Sequence, residues 1–179
     1  MITTIAENAA KYRQMRDFSL LNFKDGWEIW LQCEAYFSLP NSKQYEYDRG
    51  TQYPYPYNKQ KCDFLITRNG VNLWLEAKVL LREDIRSLVK RFISDLTKID
   101  AIDLNGDTNS IGAFAVAPLM GEDLFTQDIK DLFRDTSPVD IDKIEYLAVQ
   151  PNLPIKKGKY NSTPELTKGD IIILYYVRL

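Results

Sequence analysis

The spacing of apolar residues along this chain switches between a helical period and a strand period several times. Residues 25 to 40, DGWEIWLQCEAYFSLP, put Trp27, Trp30, Leu31 and Phe37 on one broad face at about 100° per residue. Asp25 is a candidate N-cap and Pro40 a stop. Glu28 and Gln32 fall on the polar side of that helix, whereas Glu34 falls in the middle of its apolar face. A tyrosine-rich stretch follows, with a short strand expected near Tyr45–Arg49 and an irregular loop around Pro54 and Pro56. Residues 61 to 79, KCDFLITRNGVNLWLEAKV, read as two strands about a tight turn. Over residues 82 to 104, Ile85, Leu88, Val89, Phe92, Leu96 and Ile99 recur at helical spacing. The unbroken apolar run IGAFAVAPLM, 111 to 120, predicts a buried strand, and GEDLFTQDIKDLFRD predicts a helix. KIEYLAVQP and DIIILYYVRL are two further strands, joined by a loop over 152 to 169. Helices and strands in this order predict one α/β (α+β) domain over residues 1 to 179, a mixed sheet with helices packed on it.

The hairpin carries Asp63, Glu76 and Lys78 among residues that otherwise suit a core. Asn69-Gly70 is the strongest short-range signal for a two-residue type I′ turn. With that turn, Arg68 faces Val71, and the same count sets Asp63 opposite Glu76, with Cβ atoms roughly 4.5–5.5 Å apart. Lys78 projects from the same face of its strand as Glu76. Opposed carboxylates are destabilising unless something positive joins them. A hard divalent cation such as Mg²⁺ does so, because it takes oxygen ligands and neutralises the pair. The other reading of these residues is a solvated strand face with a weak surface ion pair. Leu65 and Trp74, on the face that carries the charges, speak against a wholly solvated surface.

Composition narrows the chemistry. The chain has no histidine, which excludes His-based triads and histidine metal clusters. Its net charge of −2 and pI near 5.3 give no overall basic field for nucleic acid, although an enzyme needs only a local groove. Cys33 and Cys62 are the two cysteines, with no pairing pattern, so a reducing cytoplasmic compartment is expected. Neither has a histidine base, and Cys62 is expected to face away from the acids on its strand. The N-terminal residues lack the pattern of a signal peptide. No stretch approaches the roughly 18 consecutive apolar residues of a membrane span.

Asp63, followed by Glu76-Ala77-Lys78 on the paired strand, resembles the PD-(D/E)xK nuclease superfamily. Cys62 stands where the motif has proline. The predicted order of helix, three strands, helix and strand over about 25 to 120 is similar to the superfamily's restriction endonuclease-like core, with the C-terminal strands and helix as elaboration. The resemblance implies Asp63 and Glu76 as ligands of Mg²⁺ (or Mn²⁺), with the Ala77 backbone carbonyl a further donor. It implies Lys78 as the group that activates or positions the attacking water, and Glu34 as an additional ligand from the first helix. The function it implies is Mg²⁺-dependent hydrolysis of phosphodiester bonds, foremost as a DNA endonuclease. The alternatives are a catalytically inactive nuclease fold serving as a binding or assembly module, and an RNA-cleaving, toxin-type nuclease.

For substrate contacts, Arg82, Arg86 and Lys90 recur every four residues and make a positive stripe on the helix after Lys78. The same spacing also suits a solvated face laced with Glu83 and Asp84. The tyrosines at 45, 47, 53, 55 and 57 suit either stacking on bases or packing of the loop they occupy. Lys156, Lys157, Lys159 and Lys168 mark a lysine-bearing late loop. The expected partner is nucleic acid, with DNA favoured, and no membrane. A homodimer is a candidate assembly, because cutting both strands of a duplex generally takes two active sites.

Overall fold

The structure is a computed structural model, and it describes residues 45–79, 84–104, 106, 108–117, 121–150, 153–162, 164, 166 and 170–178. The expected helix over 25 to 40, with Glu28, Cys33 and Glu34, lies outside the described residues, as does Arg82.

The described chain runs β1 (Tyr45–Arg49), β2 (Phe64–Arg68), β3 (Val71–Val79), α1 (Ile85–Ala101), β4 (Asn109–Ala117), α2 (Gln127–Thr136), β5 (Glu145–Val149), β6 (Lys156–Lys159) and β7 (Ile171–Arg178). The seven strands form one mixed sheet in the order β1-β2-β3-β4-β7-β5-β6. Among the described strands only β3 and β4 pair in parallel, and α1 lies in the crossover between them. The fold is therefore the mixed α/β sheet that the sequence predicts.

Three local features decide where side chains of the hairpin go. Asn69 and Gly70 both have positive φ, 50° and 79°, as a type I′ turn requires. The register then runs from Arg68↔Val71 to Phe64↔Leu75, as counted from the turn. Beyond Phe64 the regular ladder stops. The Asp63 amide donates to the Leu75 carbonyl at 3.1 Å, and the Asp63 Oδ2 accepts the Ala77 amide at 2.8 Å. A side-chain oxygen thus takes the place of a strand carbonyl. The pairing of Asp63 directly opposite Glu76 is corrected accordingly, since β2 begins one residue later. The same irregularity overturns the expectation for Cys62. Instead of facing away from the acids it packs with Tyr53 and Trp74 on their side of the sheet.

Helix α1 starts at Ile85, the first apolar residue of that spacing, and Asp84 caps it by accepting from the Ser87 amide at 2.9 Å. Eight α1 residues are buried, and seven of them are apolar: Ile85, Leu88, Val89, Phe92, Ile93, Leu96 and Ile99. They pack with Trp74, Ile111, Ala113 and Ala115 of the sheet and with Ile129 and Phe133 of α2. Each such side chain contributes about 1.5–3 kcal/mol to holding α1 on the sheet. Asp95 is the eighth buried position. The opposite sheet face has its own cluster, including Phe64, Leu75, Val79, Phe114 and Ile173.

Two further expectations change. The single helix expected after β4 is a 3-10 turn over Gly121–Phe125 and then α2, separated by Thr126. The late lysine loop contains an edge strand, β6. Lys159 of β6 pairs with Glu145 at 2.7 Å and Lys156 with Asp170 at 3.6 Å. Lysines along an exposed edge discourage strand-to-strand association. Among the described residues, no helix is long and apolar enough to cross a membrane.

Candidate functional site

The charged residues of the hairpin lie on the face that α1 covers, and α1 supplies their partners. Strand alternation puts Trp74, Glu76 and Lys78 on one side of β3. Trp74 belongs to the core under α1. Glu76 is only 3 % exposed. Its Oε1 accepts from the Tyr53 hydroxyl at 2.7 Å and from the Lys98 ammonium at 2.5 Å. Tyr53 itself is buried and stacks on Trp74 with ring centroids 5.2 Å apart. Of the two readings of the tyrosine-rich loop, Tyr53 takes the packing one, while Tyr55 stands in solvent.

Lys78 is held by three oxygens. Its Nζ lies 3.0 Å from the Ala77 carbonyl, 3.4 Å from Asp63 Oδ2 and 3.2 Å from Asp95 Oδ2. The last contact is an ion pair out of hydrogen-bond alignment, so Asp95 Oδ2 is buried without a hydrogen-bond partner. Three carboxylates, Asp63, Glu76 and Asp95, therefore surround two ammonium groups, Lys78 and Lys98.

This crowding shifts the protonation of Glu76, Asp95 and Lys78, each in a definite direction. Burial raises the Glu76 carboxyl above its ordinary range, opposed by Lys98 and Tyr53 and reinforced by Asp63. Burial also pushes Asp95 up to about 7, against the pull of Lys78 and with help from Glu76 and Asp63. Burial alone lowers the Lys78 ammonium, but Asp95 and Asp63 outweigh it and the net shift is upward. Lys78 is thus a cation at neutral pH. Cys62 is pushed up to about 12, chiefly by burial and then by Glu76, so it remains a thiol and its Sγ donates to the Thr51 carbonyl. Burial, with Glu76 second, raises Tyr53 as well, which keeps its hydroxyl a donor.

The Asp95 shift makes a stability prediction. A carboxyl whose proton affinity is higher in the folded than in the unfolded chain stabilises the fold at low pH, and that contribution is lost as pH rises through its folded value. Unfolding measured in urea is expected to show a loss of about 2 kcal/mol from this group between pH 5.5 and 8. Asp95→Asn is expected to flatten that part of the slope. An equal slope in both proteins would mean that Asp95 ionises normally despite facing Asp63, Glu76 and Lys78.

The structure thus brings Asp63, Glu76, the Ala77 carbonyl and Lys78 together at one end of the hairpin. It does not bring the described members of the predicted positive stripe, Arg86 and Lys90, there. Arg86 and Lys90 are exposed on α1 and lie roughly 140–180° round the helix from Asp95. The flank that meets the acids instead carries Arg91, Asp95 and Lys98, and Arg91 donates to the Val79 carbonyl at 2.8 Å. Asp95 had a visible sequence signal, since it is an acid on an apolar helix face, the same sign that singles out Glu34. Lys98 and Tyr53 had none, because their role depends on how α1 and the loop sit against β3.

Among the described residues, no three Asp, Glu, Cys or His side chains converge on one point as a ready-made metal cage. Two carboxylates and a backbone carbonyl do suit a hard cation that takes its other ligands from water or substrate. The ammonium on each acid marks a place where the site already stabilises positive charge. Compared with protein-family models, with curated proteins and with solved structures, the chain has no significant match.

Proposed function

We propose that this chain is a metal-dependent nuclease with a restriction endonuclease-like core, hydrolysing phosphodiester bonds and acting foremost on DNA. The observation that carries this reading is the grouping of Asp63, Glu76 and Lys78 at one end of the β2–β3 hairpin, with Glu76 buried and Lys78 held by Asp63, Asp95 and the Ala77 carbonyl. Burying Glu76 with a second acid, Asp63, close by is costly and adds nothing to the packing of the core. An arrangement that keeps them close is therefore better explained by chemistry than by stability.

Asp63 and Glu76, with the Ala77 carbonyl, would hold Mg²⁺ or Mn²⁺. When bound, the ion would supply charge neutralisation and Lewis-acid stabilisation of the phosphoryl oxygens. Asp63 does two jobs, since the Oδ2 that accepts the Ala77 amide also fixes the strand end that carries Glu76. Lys78, anchored on three oxygens, would orient the attacking water and stabilise negative charge on the phosphate. Because it stays protonated, it would not take the water's proton, which would leave to bulk solvent.

Purified protein is expected to cut at least one of duplex, single-stranded or branched DNA in Mg²⁺ or Mn²⁺, and Glu76→Ala is expected to cut none. Equal cutting by both proteins would assign the activity to a contaminant. RNA in the same panel separates a toxin-type ribonuclease from a DNA enzyme. A second reading is favoured by one feature: Lys78 and Lys98 each pair with the acids of the site. That balance suits a nuclease fold kept as a binding or assembly module. A stable protein partner together with no divalent-ion binding in calorimetry would support it.

A further inference from the structure

We propose that Lys98 is an internal counter-ion that occupies Glu76 in the free protein and yields that position to the divalent cation. The inference rests on the nuclease reading above and concerns a residue outside its motif.

The two lysines of the site are held differently. Lys78 contacts oxygens on two different acids and on its own strand, so no single event releases it. Lys98 contacts one acid, Glu76, together with the Lys61 carbonyl at 2.5 Å and the face of the Tyr53 ring at 5.3 Å. It extends from the last turn of α1, and about a quarter of its side chain is exposed, against 4 % for Glu76. A long, partly exposed side chain at a helix end can swing its ammonium into solvent at little cost in packing. The buried carboxylate cannot follow it. Glu76 must then take another positive partner or a proton, because its burial and the nearby Asp63 disfavour a bare negative charge. A divalent ion brings two charges where the ammonium brought one. Tyr53 keeps its hydrogen bond to Oε1 throughout, which holds the carboxylate in place during the exchange.

The proposal is tested by titrating Mn²⁺ alone into the full chain in a calorimeter at low ionic strength. The wild type is expected to bind Mn²⁺, Glu76→Gln to bind little, and Lys98→Met to bind at least tenfold more tightly than wild type. The gain is expected to vanish in the Lys98→Met, Glu76→Gln double variant. Unchanged or weaker binding by a folded Lys98→Met protein, beside Glu76-dependent binding by the wild type, would overturn the displacement and leave the nuclease reading standing. No Mn²⁺ binding by either protein would overturn both. Wild-type protein also gives a readout that needs no variant. Nuclear magnetic resonance of lysine Cε and Nζ during a Mg²⁺ titration is expected to move the Lys98 signal toward that of a free lysine while Lys78 stays paired. A Lys98 signal that is indifferent to saturating Mg²⁺ would overturn the proposal.

Discussion

Lys78→Met is expected to slow Mg²⁺-dependent cleavage about 10³-fold at saturating substrate, equivalent to ~4 kcal/mol of lost transition-state stabilisation. Substrate binding is expected to change far less. The magnitude follows from how the ammonium is held. Ala77, Asp95 and Asp63 fix it at 3.0, 3.2 and 3.4 Å, so its charge is aimed before substrate arrives and needs no rearrangement during the reaction. Lys78→Arg is not expected to restore the rate, since a planar guanidinium does not fit a position shaped by three oxygens around a point charge. The pH–rate profile distinguishes this role from that of a general base. A neutral lysine acting as base would give the wild type a rise of rate with pH that Lys78→Met lacks, whereas a permanently charged Lys78 leaves the shape of the profile the same in both proteins. The metal titration keeps the test clean, because Lys78→Met is expected to retain Mn²⁺ binding while losing turnover. A variant cutting within a few-fold of wild type, in a preparation where Glu76→Ala is inactive, would reduce Lys78 to a structural partner of Asp63 and Asp95.

Much of this arrangement was legible in the chain before any coordinates. Two adjacent residues, Asn69 and Gly70, set the hairpin register because their backbone conformation is nearly unique to one turn type. The helix after the hairpin was equally plain, since six apolar residues from Ile85 to Ile99 repeat at one period, and all six are buried. What stayed hidden had physical causes. The exit of Asp63 from the ladder is a competition between its side chain and a strand carbonyl for the Ala77 amide, and alternation says nothing about such a contest. That one departure also turns Cys62 toward the acids. β6 was missed because Lys156, Lys157, Gly158 and Lys159 carry no apolar alternation. They form a strand because β5 offers an open edge to pair with. Lys98 illustrates the general limit. A lysine in the last turn of a helix is ordinary by sequence, favoured by the helix dipole whatever it faces. Its contact with Glu76 exists because α1 packs on β3 at one particular height, which is a property of the whole core.

Phe92→Ala tests that dependence directly, and it carries the largest expected effect on stability. Phe92 is fully buried on the sheet-facing side of α1 and meets the Phe133 ring of α2 edge-on, with centroids 6.1 Å apart. Truncation removes the transfer energy of the ring and leaves a cavity between two helices and the sheet. The expected loss is about 3–5 kcal/mol, read as a lower urea midpoint at unchanged slope, with the melting temperature falling by roughly 10 °C. The functional consequence is more selective than a general loosening. Asp95 is one turn along α1 from Phe92, and Lys98 is one turn further. Asp63, Glu76 and Lys78 belong instead to the β2–β3 hairpin, whose register is set by its own turn. If α1 settles toward the cavity, the contacts that change are Lys78 with Asp95 and Lys98 with Glu76, not those between Asp63 and Ala77. The folded variant is therefore expected to bind Mn²⁺ more tightly than wild type, as Lys98→Met does, while cleaving more slowly because Lys78 has lost one of its anchors. A Phe92→Ala protein that loses stability but matches the wild type in both respects would show that the hairpin alone organises the site, and that α1 contributes only the layer that covers it.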